Sequence, residues 1–168
     1  MNLFSKTYCL DANVLIQAWQ KYYSPKFCPS YWEVLNSLGS QGRIFIPETV
    51  KDEIVRTEDD LTKWLRNSNI PILKIDQEVT NCLRDIYSNN PLHMHLVDNI
   101  KNRSLADPWV IAHAIKERAV VVTKEEKLTA INSNRIKIPN VCENMGVPWI
   151  DDFMFIDELN IQFTCNLR

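Results

Sequence analysis

Short apolar runs alternate with longer amphipathic segments along most of this chain, and this alternation is the feature that most limits its fold. The run 119–122, Ala-Val-Val-Val, is apolar at every position, as expected for a strand that is buried on both faces of a parallel sheet. It follows a segment, 107–118, in which apolar residues recur with helical spacing. Strands that alternate with helices predict an α/β fold, in which helices flank a central, mainly parallel β-sheet.

The same patterns predict the remaining elements. Strands are expected at 7–10, 43–46, 70–75, 119–122 and 147–150. Helices are expected at 12–19, 48–56, 59–67, 77–87, 107–118 and 141–145, with a further helix that Ser30 caps and that ends at Leu38. The chain around 89–91 is predicted to be a loop. Because no stretch resembles a linker, residues 1–168 are expected to form a single domain.

Charge and cysteine content limit the classes of function. The chain has 19 basic and 21 acidic residues, so it lacks the overall positive field of broad phosphate binders, and any contact with nucleic acid must be local. Five scattered cysteines without a C-x-x-C pair argue against a disulfide framework or a zinc site and favour the reducing cytoplasm. No apolar run approaches the ~18 residues of a membrane span, so we expect neither secretion nor membrane anchoring.

Acidic residues follow two of the predicted strands. Asp11 comes directly after the first strand, and Glu125 lies just beyond the apolar run 119–122. In open α/β sheets the carboxyl ends of the strands form the crevice where ligands bind. Glu53 and Asp107 lie in predicted helices beside apolar positions and can face the same edge. Carboxylates that are brought together repel one another unless a cation neutralises them, so a divalent metal site is the simplest explanation.

Each acid alone also has an ordinary structural interpretation. An Asp before an apolar helix, as at Asp11, is a common N-cap, and Asp107 is a favourable acid in the first turn of its helix. Glu53 can be a solvated helical charge, and the pair Glu125-Glu126 can begin the next helix. Only the combination and order of these acids favour a metal site.

In their order along the chain, these residues resemble the PIN-domain nucleases. The pattern of that family is an Asp that closes the first strand, a helical Glu, a helical Asp, and a last acid after a strand-end Thr. The matching segments here are 8–15, 50–54, 105–112 and 121–125. Tyr22-Tyr23 and the Pro-x-x-Trp segment 29–32 are similar to a PIN-like branch of bacterial and archaeal proteins related to the toxin ribonucleases of toxin–antitoxin systems.

The resemblance implies a PIN-like three-layer sandwich and a set of catalytic, metal-binding acids. These acids, which would hold Mg²⁺ or Mn²⁺, are Asp11, Glu53, Asp107 and Glu125. The fourth position more often carries Asp in the family, so Glu126 or Asp151 stays open as an alternative to Glu125. Asn13 and Thr123 match positions where the family has small polar residues that support the pocket.

The resemblance also implies an activity and partners. The activity is metal-dependent hydrolysis of single-stranded RNA in the cytoplasm, by the toxin of a toxin–antitoxin pair, with an antitoxin protein as partner and with the protein itself as a homodimer. The alternative is a PIN-like module with weakened catalysis that binds RNA or protein. Side chains that can contact the RNA backbone or stack on bases are Lys21, Lys26, Arg103, Lys124, Tyr22, Tyr23 and Trp32.

Overall fold

A five-stranded parallel sheet lies at the centre of the protein. The computed structural model describes residues 5–98, 104–130 and 135–167. Within these ranges the strands are β1 (Tyr8–Leu10), β2 (Ile44–Pro47), β3 (Ile72–Leu73), β4 (Val120–Val122) and β5 (Trp149–Ile150). Their order in the sheet is β3-β2-β1-β4-β5, and every neighbouring pair is parallel. The predicted α/β fold with a parallel central sheet is therefore confirmed.

Helices flank this sheet. In the described ranges they are α1 (Ala12–Gln17), α2 (Pro29–Ser40), α3 (Glu48–Ile54), α4 (Asp60–Asn67), α5 (Gln77–Asn89), α6 (Asp107–Glu117), α7 (Ile138–Met145) and α8 (Asp152–Glu158). A π-helical turn at Ala18–Tyr22 continues α1, and a 3-10 segment at Pro91–Leu96 follows α5. None of these helices combines the length and the apolar character that crossing a membrane requires.

The structure differs from the sequence predictions at three places. Cys28 rather than Ser30 occupies the cap position of α2, because Pro29, with its fixed φ and missing N–H, suits the first helical position. The loop expected at 89–91 is reduced to Asn90, because α5 ends at Asn89 and the 3-10 segment begins at Pro91. Helix α8 was not anticipated, because only one of its aromatic residues, Phe155, is buried, and its apolar residues do not mark a single face.

The core is built around β1, β4 and α6. Every residue of both strands is buried, and α6 packs across β1, β2 and β4. Val110 and Ile111 of α6 are fully buried against them. Each such aliphatic side chain contributes roughly 1.5–3 kcal/mol on removal from water.

The order of the strands creates a crevice beside β1. Within the sheet, β2 and β3 lie on one side of β1, and β4 and β5 lie on its other side. In such sheets the ligand site lies where the order reverses, outside the carboxyl ends of the strands. The register pairs Leu10 with Val122. The next residues, Asp11 and Thr123, therefore leave the sheet side by side.

Gly39, near the end of α2, lies against the chain that leads into β3. A Cβ at this position would lie 2.8 Å from the carbonyl oxygen of Asn69 and 2.8 Å from the Cα of Ile70. Both are backbone atoms, so the contact could be relieved only by moving α2 or the segment before β3.

We expect Gly39→Ala to lower the free energy of unfolding by about 1–3 kcal/mol, because overpacking this contact outweighs the better helix propensity of alanine. Urea unfolding followed by circular dichroism measures the change. Ser40→Ala, at the next and exposed position of α2, is the control and should stay within about 0.5 kcal/mol of wild type. An unchanged midpoint for Gly39→Ala would show that the two segments separate without cost.

Candidate metal centre

Asp11 occupies the N-cap position of α1, yet its side chain makes no capping hydrogen bond. Its backbone N–H donates to the carbonyl oxygen of Val122 at 2.9 Å and so continues the pairing of β1 with β4. Asp11 is only 4% exposed, and its Oδ2 accepts a hydrogen bond from the Thr123 hydroxyl at 2.8 Å. The ordinary capping interpretation of Asp11 therefore does not apply.

The hydroxyl of Thr123 orients this carboxylate. It donates to Asp11 and accepts from Asn13 Nδ2 at 3.3 Å and from the backbone N–H of Glu125 at 3.1 Å. A hydroxyl has one hydrogen and two lone pairs, so its capacity is fully used. Asn13 is held in turn, because its Oδ1 accepts from the backbone N–H of Lys124 at 3.0 Å. Thr123 and Asn13 thus support Asp11, as the resemblance implies.

Asp107, the first residue of α6, brings a second buried carboxylate to the same place. It is 8% exposed. Burial raises its pKa far above the usual range, and the negative charges of Asp11 and Glu125 raise the pKa further. Burial likewise raises the pKa of Asp11, with the charges of Glu125 and Glu53 adding to it and the hydrogen bond from Thr123 opposing it. Each acid is therefore harder to ionise than a solvated one.

Glu53 lies in α3 at the rim of this group. Its side chain is partly buried, which raises its pKa, while the positive charge of Arg56 lowers it. Its charge raises the pKa of both Asp11 and Asp107. The structure therefore places Glu53 within electrostatic reach of the two buried acids, on the opposite side of β1 from Glu125.

Glu125 is close to the buried acids, but both of its carboxylate oxygens have partners. Oε1 accepts from Lys137 Nζ at 2.9 Å, and Oε2 accepts from the backbone N–H of Ile138 at 2.9 Å. In this conformation Glu125 holds the start of α7. Of the two alternatives for the fourth acid, Asp151 caps α8, and Glu126 makes no hydrogen bond or ion pair with the described residues. Each oxygen keeps a second lone pair, so the metal-binding role predicted for Glu125 does not require it to leave Lys137 and stays a prediction.

The chemistry of Asp11 and Asp107 fits a hard divalent cation. Neither carboxylate has a basic partner among the described residues. No group of three or more Asp, Glu, His or Cys side chains that could hold a metal ion occurs in the same part of the chain. Mg²⁺, however, commonly binds through one or two carboxylates and keeps several waters. Two buried carboxylates are therefore a sufficient donor set for Mg²⁺ or Mn²⁺ and a poor one for zinc.

A buried ion pair beside these acids was missed by sequence reasoning. Lys124 Nζ lies 2.8 Å from Asp152 Oδ1, and the two side chains are 10% and 2% exposed. Lys124 was expected to contact a nucleic-acid backbone, but its charge is balanced here by Asp152. The sequence feature that could have indicated this ion pair is the position of Asp152, two residues after the end of β5.

The other side chains named as contacts with nucleic acid differ in their exposure. Trp32 is buried in the core, and its Nε1 donates to the carbonyl oxygen of Tyr23 at 2.7 Å, so its ring is not available to stack on a base. Tyr22, by contrast, is well exposed. Arg103 lies outside the described residues.

Comparison with known proteins agrees with this architecture. A family model described as a domain of unknown function (DUF4411) matches residues 8–163. Among solved structures, the crystal structure of VapBC2 from Rickettsia felis bound to a DNA fragment from their promoter matches with a TM-score of 0.56 and 16% sequence identity. The match covers 86% of this chain and 98% of that chain, and it shows that the fold is PIN-like. No curated protein matches the chain.

The buried acids predict how the metal-free protein responds to pH. In the folded protein the pKa values of Asp11 and Asp107 lie above the value of about 4 that an unfolded chain has. Above pH 4 the unfolded chain has released these protons while the folded protein still holds them. Their contribution to stability is therefore full at low pH and is lost as the pH rises through the folded-state values.

We expect Asp107→Asn, which cannot ionise, to have a free energy of unfolding about 1–3 kcal/mol higher than that of wild type at neutral pH and nearly equal to it near pH 4. Urea unfolding at a series of pH values in chelator measures this difference. Excess Mg²⁺ should stabilise wild type and not the variant. Asp52→Asn, which changes an exposed acid of α3, is the control. Parallel pH profiles for wild type and Asp107→Asn would contradict the repulsion described here.

Proposed function

We propose that this chain, which belongs to the DUF4411 family, is a metal-dependent nuclease that hydrolyses phosphodiester bonds in single-stranded RNA. The observation that carries the proposal is the pair of buried carboxylates, Asp11 and Asp107, which have no basic partner among the described residues and lie where the strand order reverses. Such a pair is unfavourable unless a cation balances its charge. RNA as the substrate rests on the resemblance of the acidic pattern to PIN-domain nucleases.

The residues at this edge have separate parts in the proposed reaction. Mg²⁺ or Mn²⁺ supplies polarisation of the scissile phosphate, a lowered pKa for a bound water, and balance for the charge of the leaving oxygen. Asp11 and Asp107 provide the oxygen ligands, and Thr123 keeps the Asp11 carboxylate in one orientation. Glu53, which is partly exposed at the rim, can accept hydrogen bonds from water that enters the site.

One observation favours a second candidate, a PIN-like module that binds RNA or protein with weakened catalysis. Glu125, which stands at the fourth acidic position, uses both carboxylate oxygens to bind Lys137 and the start of α7. A site limited to Asp11, Glu53 and Asp107 would have less negative charge with which to hold a cation. Weak metal affinity would then leave binding without efficient hydrolysis.

Cleavage of labelled single-stranded RNA by the purified protein tests the proposal. We expect cleavage with Mg²⁺ or Mn²⁺ that chelator abolishes. Asp11→Asn and Asp107→Asn should each reduce the rate by about a hundredfold or more, because a metal ligand contributes several kcal/mol of charge stabilisation. Asp52→Asn, an exposed acid next to Glu53 in sequence, is the matched control and should cleave as wild type does.

Three outcomes separate the candidates. Cleavage that does not depend on metal, or full activity in both active-site variants, contradicts the nuclease mechanism. Binding of RNA by wild type without cleavage favours the binding module. If Glu125 serves only to hold α7, Glu125→Gln will retain most of the activity of wild type while lowering stability.

We also propose that a small antitoxin protein inhibits this nuclease in its host cytoplasm. The support is the fold shared with VapBC2, a PIN-domain toxin–antitoxin complex. Expression of wild type alone should then arrest growth, and Asp107→Asn should relieve the arrest. Recovery of the protein from its native host without a bound small protein would count against the partner. Light scattering of the isolated chain tests the homodimer that the resemblance implies.

A further inference from the structure

A cavity opens beside the candidate metal centre, on the side of β5. Its volume is about 430 Å³, within the range of roughly 300–1,000 Å³ that small-ligand sites occupy. Its lining combines the rings of Tyr22 and Phe153 with two lysines, Lys124 and Lys127, and with four carboxylates that include Glu126 and Asp151. Lys124 joins the two sites, because its backbone N–H binds Asn13, which supports Asp11 through Thr123.

Two aromatic rings in this cavity are exposed and held in place. Tyr22 and Phe153 are 45% and 58% exposed. Their ring centroids lie 4.4 Å and 5.0 Å from Lys124 Nζ, so the ammonium group attracts both rings. Because Asp152 already balances the charge of Lys124, this cation holds the rings more than it attracts a phosphate. The ring of Tyr22 also lies 6.5 Å from that of Tyr23, and the exposed parts of Tyr22 and Phe153 are available to stack on a flat ring.

Local backbone structure explains how Tyr22 reaches this position. It is the last residue of the π-helical turn Ala18–Tyr22, which continues α1. Such turns are rare and occur often at functional sites, because they shift the side chains that follow them. Phe153 lies in the first turn of α8, whose other phenylalanine, Phe155, is fully buried. The short helix is thus anchored by one aromatic residue and exposes the other.

The polar groups of the cavity favour a ligand that donates hydrogen bonds. Glu126 has no hydrogen-bonding or ionic partner in the described part of the chain, and Lys127, the second lysine of the lining, is paired with Glu143 at 2.5 Å. Since Lys124 and Lys127 are both paired with carboxylates, the carboxylate of Glu126 is available to accept hydrogen bonds from an amino group. Adenine, cytosine and guanine have an exocyclic amino donor, which uracil lacks.

We propose that this cavity binds the nucleobase next to the scissile phosphate, stacked on Tyr22 and Phe153, and that it prefers bases with an exocyclic amino group over uracil. The position of the scissile phosphate rests on the proposed nuclease function. The stacking of the base does not, since it needs only single-stranded nucleic acid.

Fluorescence anisotropy with a short labelled oligoadenylate tests this base site. The titration uses the full chain with Asp107→Asn, which should neither bind Mg²⁺ nor hydrolyse the probe, so that binding reports the contacts of the bases. Tyr22→Leu and Phe153→Leu, each added to this background, remove a stacking face and keep an apolar side chain. Each should weaken binding about tenfold, as expected for one lost base–aromatic contact. Tyr87→Leu, which changes an exposed tyrosine of α5 outside the cavity, is the matched control and should leave binding unchanged.

Two further probes separate the base from the phosphate backbone. An oligouridylate of the same length should bind more weakly than the oligoadenylate. A strand of the same length that contains abasic nucleotides should bind more weakly still, and Phe153→Leu should not weaken it further. Thermal unfolding of each variant confirms that the substitution of these exposed residues leaves the fold intact.

The proposal is overturned if both leucine variants bind the oligoadenylate as their parent does, if the abasic strand binds as tightly as the intact one, or if no RNA is bound. The first of these results would show that the exposed rings do not contact the bases. If the nuclease proposal fails and the base site is correct, wild type will bind oligoadenylate without cleaving it, and this binding will still depend on Phe153. Normal cleavage with no dependence on either ring would leave the nuclease proposal standing and remove the base site.

Discussion

The parallel pairing of β1 with β4 is the constraint on which the rest of the site depends. Because Leu10 and Val122 are paired, the residues that follow them leave the sheet as neighbours, and the Thr123 hydroxyl can donate to Asp11 at 2.8 Å. That hydrogen bond, with the support of Asn13, keeps the carboxylate of Asp11 at the mouth of the crevice. A shift of one residue in register would turn alternate side chains to opposite faces of the sheet and separate the pair.

Burial of carboxylates at this edge opposes the stability that the core provides. Strands β1 and β4 are buried on both faces, and α6 packs across them, so its first residue, Asp107, is carried into the same apolar surroundings as Asp11. A folded chain could avoid this repulsion by using neutral residues at both positions. The two acids have no basic partner among the described residues, and the cation that we propose would offset their repulsion.

Sequence patterns predicted what depends on local periodicity and order. The strands around Asp11 and Thr123 and the helix that begins at Asp107 were all anticipated, because apolar runs and helical spacing are visible in one segment at a time. The pairing of Glu125 with Lys137 was not, since it joins the end of a strand to the start of a helix twelve residues away, and no spacing rule connects them. The choice between burial and base stacking for Trp32 could not be made from the sequence, because exposure depends on which helix face meets the core.

The backbone and the side chain of Lys124 belong to two chemically different parts of this edge of the sheet. Its backbone belongs to the network around Asp11, where surplus negative charge favours a cation, while its side chain is neutralised by Asp152 and organises the rings of Tyr22 and Phe153. A nucleotide offers a matching pair of groups, a phosphate that binds through a metal and a flat base that stacks. The formal charge of −2 therefore does not argue against a nucleic-acid substrate, because neither contact depends on a positive protein surface.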